Sequence, residues 1–170
     1  MKLIVKELIY LPTLLKPKMK LSITRARPRE AAELSQIPIA SKRYWGYPEA
    51  WIDLWRDDLT ITAAKIRARD FWVGRLEESI VFIYSIRPIS TNEYELEDCW
   101  VAPAYIGQGY GAILFDHLRQ TLKNLGCSRL KIVSDPHAAG FYLRMGAVRI
   151  GEEPSKPAGR MLPVFRLSVD

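Results

Sequence analysis

A glycine-dense turn at residues 106–112 constrains the fold of this 170-residue chain more than any other segment. Gly107, Gly109 and Gly111 alternate with larger residues between an apolar strand end and the start of an amphipathic helix. Glycine removes side chains where a ligand must approach the backbone. The first amides of a helix lack intrahelical partners and favour negative charge. The turn therefore predicts a phosphate-binding site at a helix N-terminus.

Two other glycine-rich phosphate sites are alternatives to consider here. A triphosphate-binding loop needs Gly-Lys-Ser/Thr at the helix start, whereas Gly111 is followed by alanine and isoleucine. The dinucleotide fingerprint G-x-G-x-x-A does fit Gly107, Gly109 and Ala112. However, residues 93–99 are too charged for a strand buried on both faces of a parallel sheet. An NAD-type oxidoreductase is therefore kept as the third alternative.

The positive charge of the chain is concentrated at its N-terminus. Residues 1–20 contribute +4 of the net charge of +6, which leaves +2 for residues 21–170. Such a small charge does not predict a nucleic-acid surface, so we expect no nucleic-acid partner. We interpret residues 1–20 as a basic extension, with Met19 as a candidate true start, and residues 21–170 as a single domain.

The cysteine content and the hydropathy indicate the compartment. Cys99 and Cys127 make neither a disulfide framework nor a metal-ligand spacing. Reduced thiols are typical of cytoplasmic proteins. Apolar runs stay well short of the ~20 residues that cross a bilayer. We therefore expect a cytoplasmic protein with no metal and no membrane association.

Hydrophobic periodicity predicts a mixed α+β domain. Strands are predicted at residues 22–25, 71–74, 80–86, 93–101, 130–134, 147–150 and 161–167. Helices are predicted near residues 28–37, 48–55, 62–68, 110–125 and 135–145. The polar segment 151–159 is predicted to be a loop long enough to have a function.

Residues 101–112 and 135–146 carry two motifs through which the chain resembles the GNAT superfamily of acyl-CoA-dependent N-acyltransferases. The first, V-x-P followed by Q-G-Y-G-A, is similar to the family's CoA-pyrophosphate loop, [RQ]-x-x-G-x-[GA]. The second, D-x-x-A-x-x-x-Y ending at a glycine, is similar to its N-x-x-A-x-x-x-Y motif. The motifs stand in the family's order, and the resemblance covers nearly all of residues 21–170.

The chain departs from these motifs at two positions. Ile106 stands where arginine or glutamine is usual, so one side-chain contact to phosphate is missing while the backbone donors remain. Asp135 replaces the customary asparagine, which changes a side-chain contact to the pantetheine arm.

The resemblance implies the GNAT fold, an α+β domain with a central, mostly antiparallel sheet of six to seven strands and about four flanking helices. It implies transfer of acetyl from acetyl-CoA to a primary amine of a small molecule or peptide, by direct attack in a ternary complex. A homodimer is also common in the family. The alternative function is a non-catalytic, CoA-binding regulatory module, which the substitution at Ile106 favours.

The resemblance further implies which residues bind acetyl-CoA. They lie on the strand end, the glycine turn and the second motif: Trp100, Val101, Ile106, Gly107, Gln108, Gly109, Tyr110, Gly111, Ala112, Asp135, Ala138, Phe141 and Tyr142. The backbone of Trp100 and Val101 is expected to run beside the pantetheine and to donate to the thioester oxygen.

The resemblance also implies the catalytic groups. Tyr142 is expected to protonate the departing thiolate as the general acid. Glu95 is expected to act as the general base, with Glu97 as the alternative. Strict alternation along the strand predicts two faces, with Glu95, Glu97, Cys99 and Val101 on one and Leu96, Asp98 and Trp100 on the other.

An aromatic segment falls where the family builds its acceptor pocket. Tyr44, Trp45 and Tyr47 surround Gly46 between the first two helices. They would bind an amine over a ring face or form the wall of an apolar pocket. Packing of these rings in the core between the first two helices fits the same pattern equally well.

Overall fold

The computed structural model describes residues 20–169 of the chain, so most of the predicted extension 1–20 lies outside the described residues. A seven-stranded sheet with the order β1-β2-β3-β4-β5-β7-β6 forms the centre. The strands are β1 (Leu21–Arg25), β2 (Asp70–Leu76), β3 (Ser79–Ser90), β4 (Glu93–Val101), β5 (Arg129–Val133), β6 (Val148–Ser155) and β7 (Arg160–Ser168). Every pair of neighbours is antiparallel except β4 and β5, which confirms the predicted fold class.

Helices cover both faces of the sheet. They are α1 (Ala31–Leu34), α2 (Gln36–Tyr44), α3 (Glu49–Leu54), α4 (Arg56–Leu59), α5 (Ala63–Ala68), α6 (Tyr110–Asn124) and α7 (Ala139–Arg144). Side chains alternate across a strand, so β3 sends Phe82 and Tyr84 into the core beneath α6 and α7, and Ile83 into the core beneath α1 and α5. Among residues 20–169, no helix is long and apolar enough to span a bilayer.

Strands β4 and β5 separate part-way along their length, and this opening positions the site. Their parallel pairing runs from Glu93↔Arg129 to Leu96↔Ile132 and then stops. Strand β4 continues to Val101, so its backbone on the β5 side lacks a strand partner over residues 97–101. We call this opening the β4–β5 wedge.

A β-bulge in β4 overturns the predicted strict alternation. Ser85 of β3 lies opposite Asp98 and the next residue, Ile86, lies opposite Leu96, so Glu97 is the extra residue. Leu96 therefore packs against the same core as Cys99 and Val101, whereas the alternation had placed it on the opposite face. A bulge depends on the register of the partner strand, which the sequence of β4 alone does not contain.

Two further boundaries differ from the predictions. The segment 151–159 is not one loop, because β6 continues to Ser155 and pairs with β7 down to Ser155↔Arg160. Its polar, proline-containing composition suits an edge strand that faces solvent. In α6, Leu114, Leu118 and Leu122 are fully buried as predicted, but Leu125 is 40% exposed just past the helix end.

Candidate active site

A cleft of about 360 Å³ occupies the β4–β5 wedge. Its walls come from β4, the start of α6, the end of β5, α7 and the C-terminal end of α2. Of the predicted site residues, it brings together Trp45, Glu97, Trp100, Val101, Ile106, Gly111, Asp135, Ala138, Phe141 and Tyr142. Several of these come from segments far apart in sequence, so the topology of the sheet assembles the site.

The glycine turn has the backbone geometry that its sequence predicts. Gly107 and Gly109 have φ angles of +80° and +88°, in the left-handed region that favours glycine, and Gly109 is the N-cap of α6. Within the described residues, the amides of Gly107, Gly109, Tyr110 and Gly111 have no backbone acceptor. These free amides at the start of a fifteen-residue helix form a site for an anion.

Close packing explains a third glycine of the turn. A Cβ on Gly111 would lie 3.1 Å from the ring of Phe141, closer than ordinary van der Waals contact. The Phe141 ring in turn packs edge-on against Phe115 in the core. Gly111 therefore lets α6 and α7 approach each other at the floor of the cleft.

The side chains around the turn divide between the cleft and local contacts. Ile106 lines the cleft with an apolar side chain. Gln108 donates from Nε2 to the carbonyl of Ala104 at 2.7 Å, and Tyr110 packs edge-on against Tyr105. Five of the predicted cofactor residues are not part of the cleft wall, namely Gly107, Gln108, Gly109, Tyr110 and Ala112, so any contact they make to a cofactor would come from the backbone at the edge of the cleft.

Arg144 is a cation of the cleft that the sequence analysis missed. It lines the cleft from α7, and its guanidinium lies along the helix near Gly140. Within residues 20–169 it has no ion-pair partner. The available signal was its place in the second motif, two residues after Tyr142 on the same short helix.

Tyr142 projects from α7 into the cleft beside Cys99 of β4. The tyrosine is only 5% exposed. Burial, followed by the charge and hydrogen bond of the neighbouring Cys99, raises the pKa of Tyr142 well above its usual value. Burial likewise raises the pKa of Cys99 to about 11. Both groups are therefore protonated near neutral pH, so the phenol can donate and the thiol is a poor nucleophile.

The two predicted bases occupy different positions relative to the cleft. Glu97 lines it and forms ion pairs with Arg87 and with Arg69, the latter at 3.2 Å. Glu95 is bound by Arg87 at 2.6 Å and by Lys131 at 3.0 Å, and it is not part of the cleft wall. Each carboxylate thus has two cationic partners.

Asp135 accepts four hydrogen bonds at the end of β5. Lys42 Nζ lies 2.5 Å from Oδ2, and Arg160 Nη2 lies 3.4 Å from the same oxygen. The hydroxyl of Tyr47 and the backbone amide of His137 each donate to Oδ1 at 3.0 Å. Burial alone would raise the pKa of Asp135, but Lys42 and the other donors lower it overall, so the group is a carboxylate at neutral pH.

The three aromatic residues predicted to bind the acceptor have different environments. Tyr44 is 52% exposed and packs against the edge of Trp45. Trp45 lines the cleft and stacks on His137 with ring centroids 5.1 Å apart. Tyr47 donates to Asp135 and is not itself part of the cleft wall, so the structure brings only Trp45 of the three to the cleft.

An aromatic cage next to the cleft is filled by a side chain of the protein itself. The Lys42 ammonium lies over the rings of Tyr47, Trp55 and Trp100 at 4.8, 4.7 and 5.4 Å. Aromatic faces attract cations, but here the cation is already supplied. Within the described part of the chain, no cluster of side chains has the composition of a metal site.

The family model for the Acetyltransferase (GNAT) family matches residues 33–147, which include the glycine turn, the cleft and Tyr142. The protein belongs to the GNAT family of acetyltransferases. No curated protein sequence matches the chain.

Solved structures share this fold at low sequence identity. A GCN5-related N-acetyltransferase from Rhodopseudomonas palustris superposes with a TM-score of 0.71 at 20% identity, over 86% of this chain and 94% of its own. The PaiA N-acetyltransferase from Thermoplasma acidophilum, in complex with coenzyme A, gives 0.69 at 15% identity over 88% and 99%. N-acetylglutamate synthase from Neisseria gonorrhoeae, complexed with coenzyme A and N-acetyl-glutamate, gives 0.64 at 13% identity over 89% and 35%.

Proposed function

We propose that this protein transfers the acetyl group of acetyl-CoA to a primary amine of a small molecule or peptide, by direct attack in a ternary complex. The observation that carries the proposal is the shared cleft of the glycine turn and Tyr142. Gly111, whose amide is free, lines this cleft together with the buried, protonated phenol of Tyr142, and acyl transfer from CoA uses both a donor for the phosphate and a donor for the leaving thiolate.

The cofactor would lie along the β4–β5 wedge. Its pyrophosphate would accept from the free amides at the start of α6. Arg144 would add the cationic contact that Ile106 cannot make. The pantetheine would follow the unpaired edge of β4 at Trp100 and Val101. Two of the structurally similar acetyltransferases were solved with coenzyme A, which supports this ligand.

The chemistry needs one nucleophile and one acid. The neutral amine of the acceptor attacks the thioester carbon, and the developing oxyanion accepts from backbone amides of the wedge. The carbon–sulfur bond then breaks, the thiolate takes the Tyr142 proton to give free CoA, and the phenolate regains a proton from solvent. The acceptor nitrogen loses a proton and becomes the amide.

We assign removal of that proton to Glu97 rather than Glu95, because Glu97 lines the cleft and Glu95 does not. Both carboxylates are engaged by arginine or lysine, so the proton would pass from Glu97 to solvent rather than remain on it. The acceptor would pack against Trp45. The free thiols Cys99 and Cys127 support a cytoplasmic location for this reaction.

The test is release of free CoA thiol from acetyl-CoA in the presence of a panel of amines, polyamines, amino acids and peptides. Glu97→Gln and Glu95→Gln form a matched pair on the same strand. We expect turnover with at least one amine, and a larger loss of kcat in Glu97→Gln than in Glu95→Gln. Equal losses would remove the assignment of Glu97.

The alternative function is a regulatory module that binds CoA without turnover, and the apolar Ile106 favours it. The same assay separates the two functions. Binding of CoA combined with no thiol release across the whole panel would favour the module and contradict the enzyme.

A further inference from the structure

The ion pair between Lys42 and Asp135 is the most buried pair of opposite charges at the cleft. The two side chains are 8% and 15% exposed, and Nζ lies 2.5 Å from Oδ2. The two residues are 93 positions apart in sequence, on α2 and at the end of β5. Removing two charges from water costs free energy, and buried ion pairs contribute little net stability. The pair therefore calls for a reason other than stability.

Asp135 has no capacity left for a ligand. A carboxylate offers about four lone-pair sites, and Lys42, Arg160, Tyr47 and the His137 amide take all four. A direct hydrogen bond from the cofactor or the acceptor to this carboxylate would require one of the four to leave. Its effect on the reaction must therefore come from its charge.

The charge of Asp135 lies where the reaction creates more negative charge. Asp135 lines the same cleft as Tyr142, and its field contributes to the raised pKa of that phenol. During acyl transfer, the thioester oxygen and then the sulfur become negative beside Tyr142. An uncompensated carboxylate in this low-dielectric cleft would oppose both changes.

We propose that Lys42 is a positioning residue for acyl transfer, which acts through Asp135 by cancelling its charge beside the reacting thioester. The inference rests on the proposed function. The cage of Tyr47, Trp55 and Trp100 fixes the ammonium in place, so the cancellation does not depend on solvent or on a bound ligand.

This role makes the two members of the pair unequal. Lys42→Met removes the nearer cation and leaves Asp135 with Arg160, at 3.4 Å, whereas Asp135→Asn leaves extra positive charge at the cleft. If the ion pair had only a structural role, the two single variants would break it equally and would have the same effect on the reaction. The double variant Lys42→Met/Asp135→Asn removes one charge of each sign, so the net charge around Arg160 returns to its wild-type value.

The experiment is an ultraviolet titration of the CoA thiol in the binary complex, with the complex of desulfo-CoA as the blank for protein groups. This readout needs no acceptor. Besides Lys42 and Asp135, the titratable or charged groups that face the pair are Tyr47, His137, Tyr142 and Arg160, and they are present in every variant.

Relative to wild type, we expect the pKa of the bound CoA thiol to rise by about one unit in Lys42→Met, a tenfold smaller thiolate fraction. It should not rise in Asp135→Asn, and it should return to within about 0.3 units in the double variant. Turnover at saturating substrates should fall in Lys42→Met, should not fall in Asp135→Asn and should recover in the double variant, with KM for acetyl-CoA little changed.

Two results would overturn the inference. Equal thiol pKa values in all four proteins would show that Lys42 does not act on the reacting sulfur, while leaving the proposed function intact if wild type turns over. No CoA binding by the wild-type protein would overturn the inference and the proposed function together. Melting temperatures measured in parallel identify any variant that fails to fold, and the double variant then provides the comparison.

Discussion

At the scale of single residues, Tyr142 has the environment of a proton donor. Its hydroxyl is buried beside the neutral thiol of Cys99, so ionisation is disfavoured and the proton is retained in the free protein. A thiolate that forms beside this hydroxyl would accept the proton as the carbon–sulfur bond breaks, and the phenolate would regain a proton from solvent. The proposed role of acid is therefore supported by burial and neighbours as well as by the motif.

Tyr142→Phe is expected to lower kcat by roughly 10²–10⁴-fold while leaving CoA affinity nearly unchanged, because the ring packing is kept and the proton is lost. Steady-state thiol release and calorimetric CoA binding measure the two quantities. Tyr105→Phe is the matched control, since that ring lies outside the cleft wall. Wild-type turnover in Tyr142→Phe would remove this residue as the acid.

At the scale of elements, Gly111 of the glycine turn lets α6 pack closely against α7 at the floor of the cleft. The contact between Gly111 and Phe141 brings the start of α6, with its free amides, close to the helix that carries Tyr142. A side chain at this position would require the Phe141 ring, and with it the packing of the two helices, to shift by a few tenths of an ångström. The geometry of the anion site and the position of the acid are therefore linked.

Gly111→Ala is expected to raise the Kd for CoA at least tenfold and to lower the free energy of unfolding by about 1–3 kcal/mol, as overpacking does elsewhere. Gly151→Ala is the matched control, because nothing lies within 4 Å of its added Cβ and its φ is not positive. Calorimetric titration and urea unfolding provide the measurements. Equal behaviour of the two variants would contradict the linkage.

The elements that periodicity determines could be predicted from the sequence, and those that depend on a distant partner could not. The stripe Leu114, Leu118 and Leu122 identified α6 because burial on one helix face leaves a local pattern. The bulge at Glu97 is set by the register of β3, and the length of β6 by its pairing with β7. Neither the bulge nor the length of β6 leaves a pattern in the local sequence.

The candidate site divides in the same way. The glycine turn and Tyr142 lie in contiguous motifs, so their joint presence in one cleft could be expected. The partner of Asp135 could not, because Lys42 is 93 residues away and nothing in its own segment indicates an acidic neighbour. The aromatic cage around that lysine takes Tyr47 from the segment after α2, Trp55 from between α3 and α4, and Trp100 from β4. Only the fold brings these three rings together.

At the scale of the whole molecule, Asp135 joins segments that surround the cleft. Lys42 comes from α2, Tyr47 from the segment after it, and Arg160 from β7. One carboxylate therefore links α2, the segment after it and β7 to the end of β5. The folded structure lowers the pKa of this carboxyl group, so its ionisation and folding are coupled.

This coupling predicts a pH-dependent difference between wild type and Asp135→Asn. A lowered folded-state pKa contributes stability that is present above the unfolded value of about 3.9 and is lost as the pH falls through the folded value. Near pH 7 the variant should be less stable by about 3–5 kcal/mol, because Lys42 is left buried without its carboxylate. Urea unfolding at about pH 7 and about pH 3 should show that the difference in free energy of unfolding between wild type and variant is smaller at the lower pH. A gap that is constant with pH would contradict the coupling.

Binding of coenzyme A tests the central claim most directly, namely that the glycine turn and the β4–β5 wedge form an acyl-CoA site. Thermal unfolding is measured with acetyl-CoA, CoA and NAD in parallel. Either CoA species at a hundredfold excess over its Kd should stabilise the wild-type protein by about 2.7 kcal/mol, and NAD should have no effect. No shift with either CoA species, or a shift with NAD alone, would contradict the account.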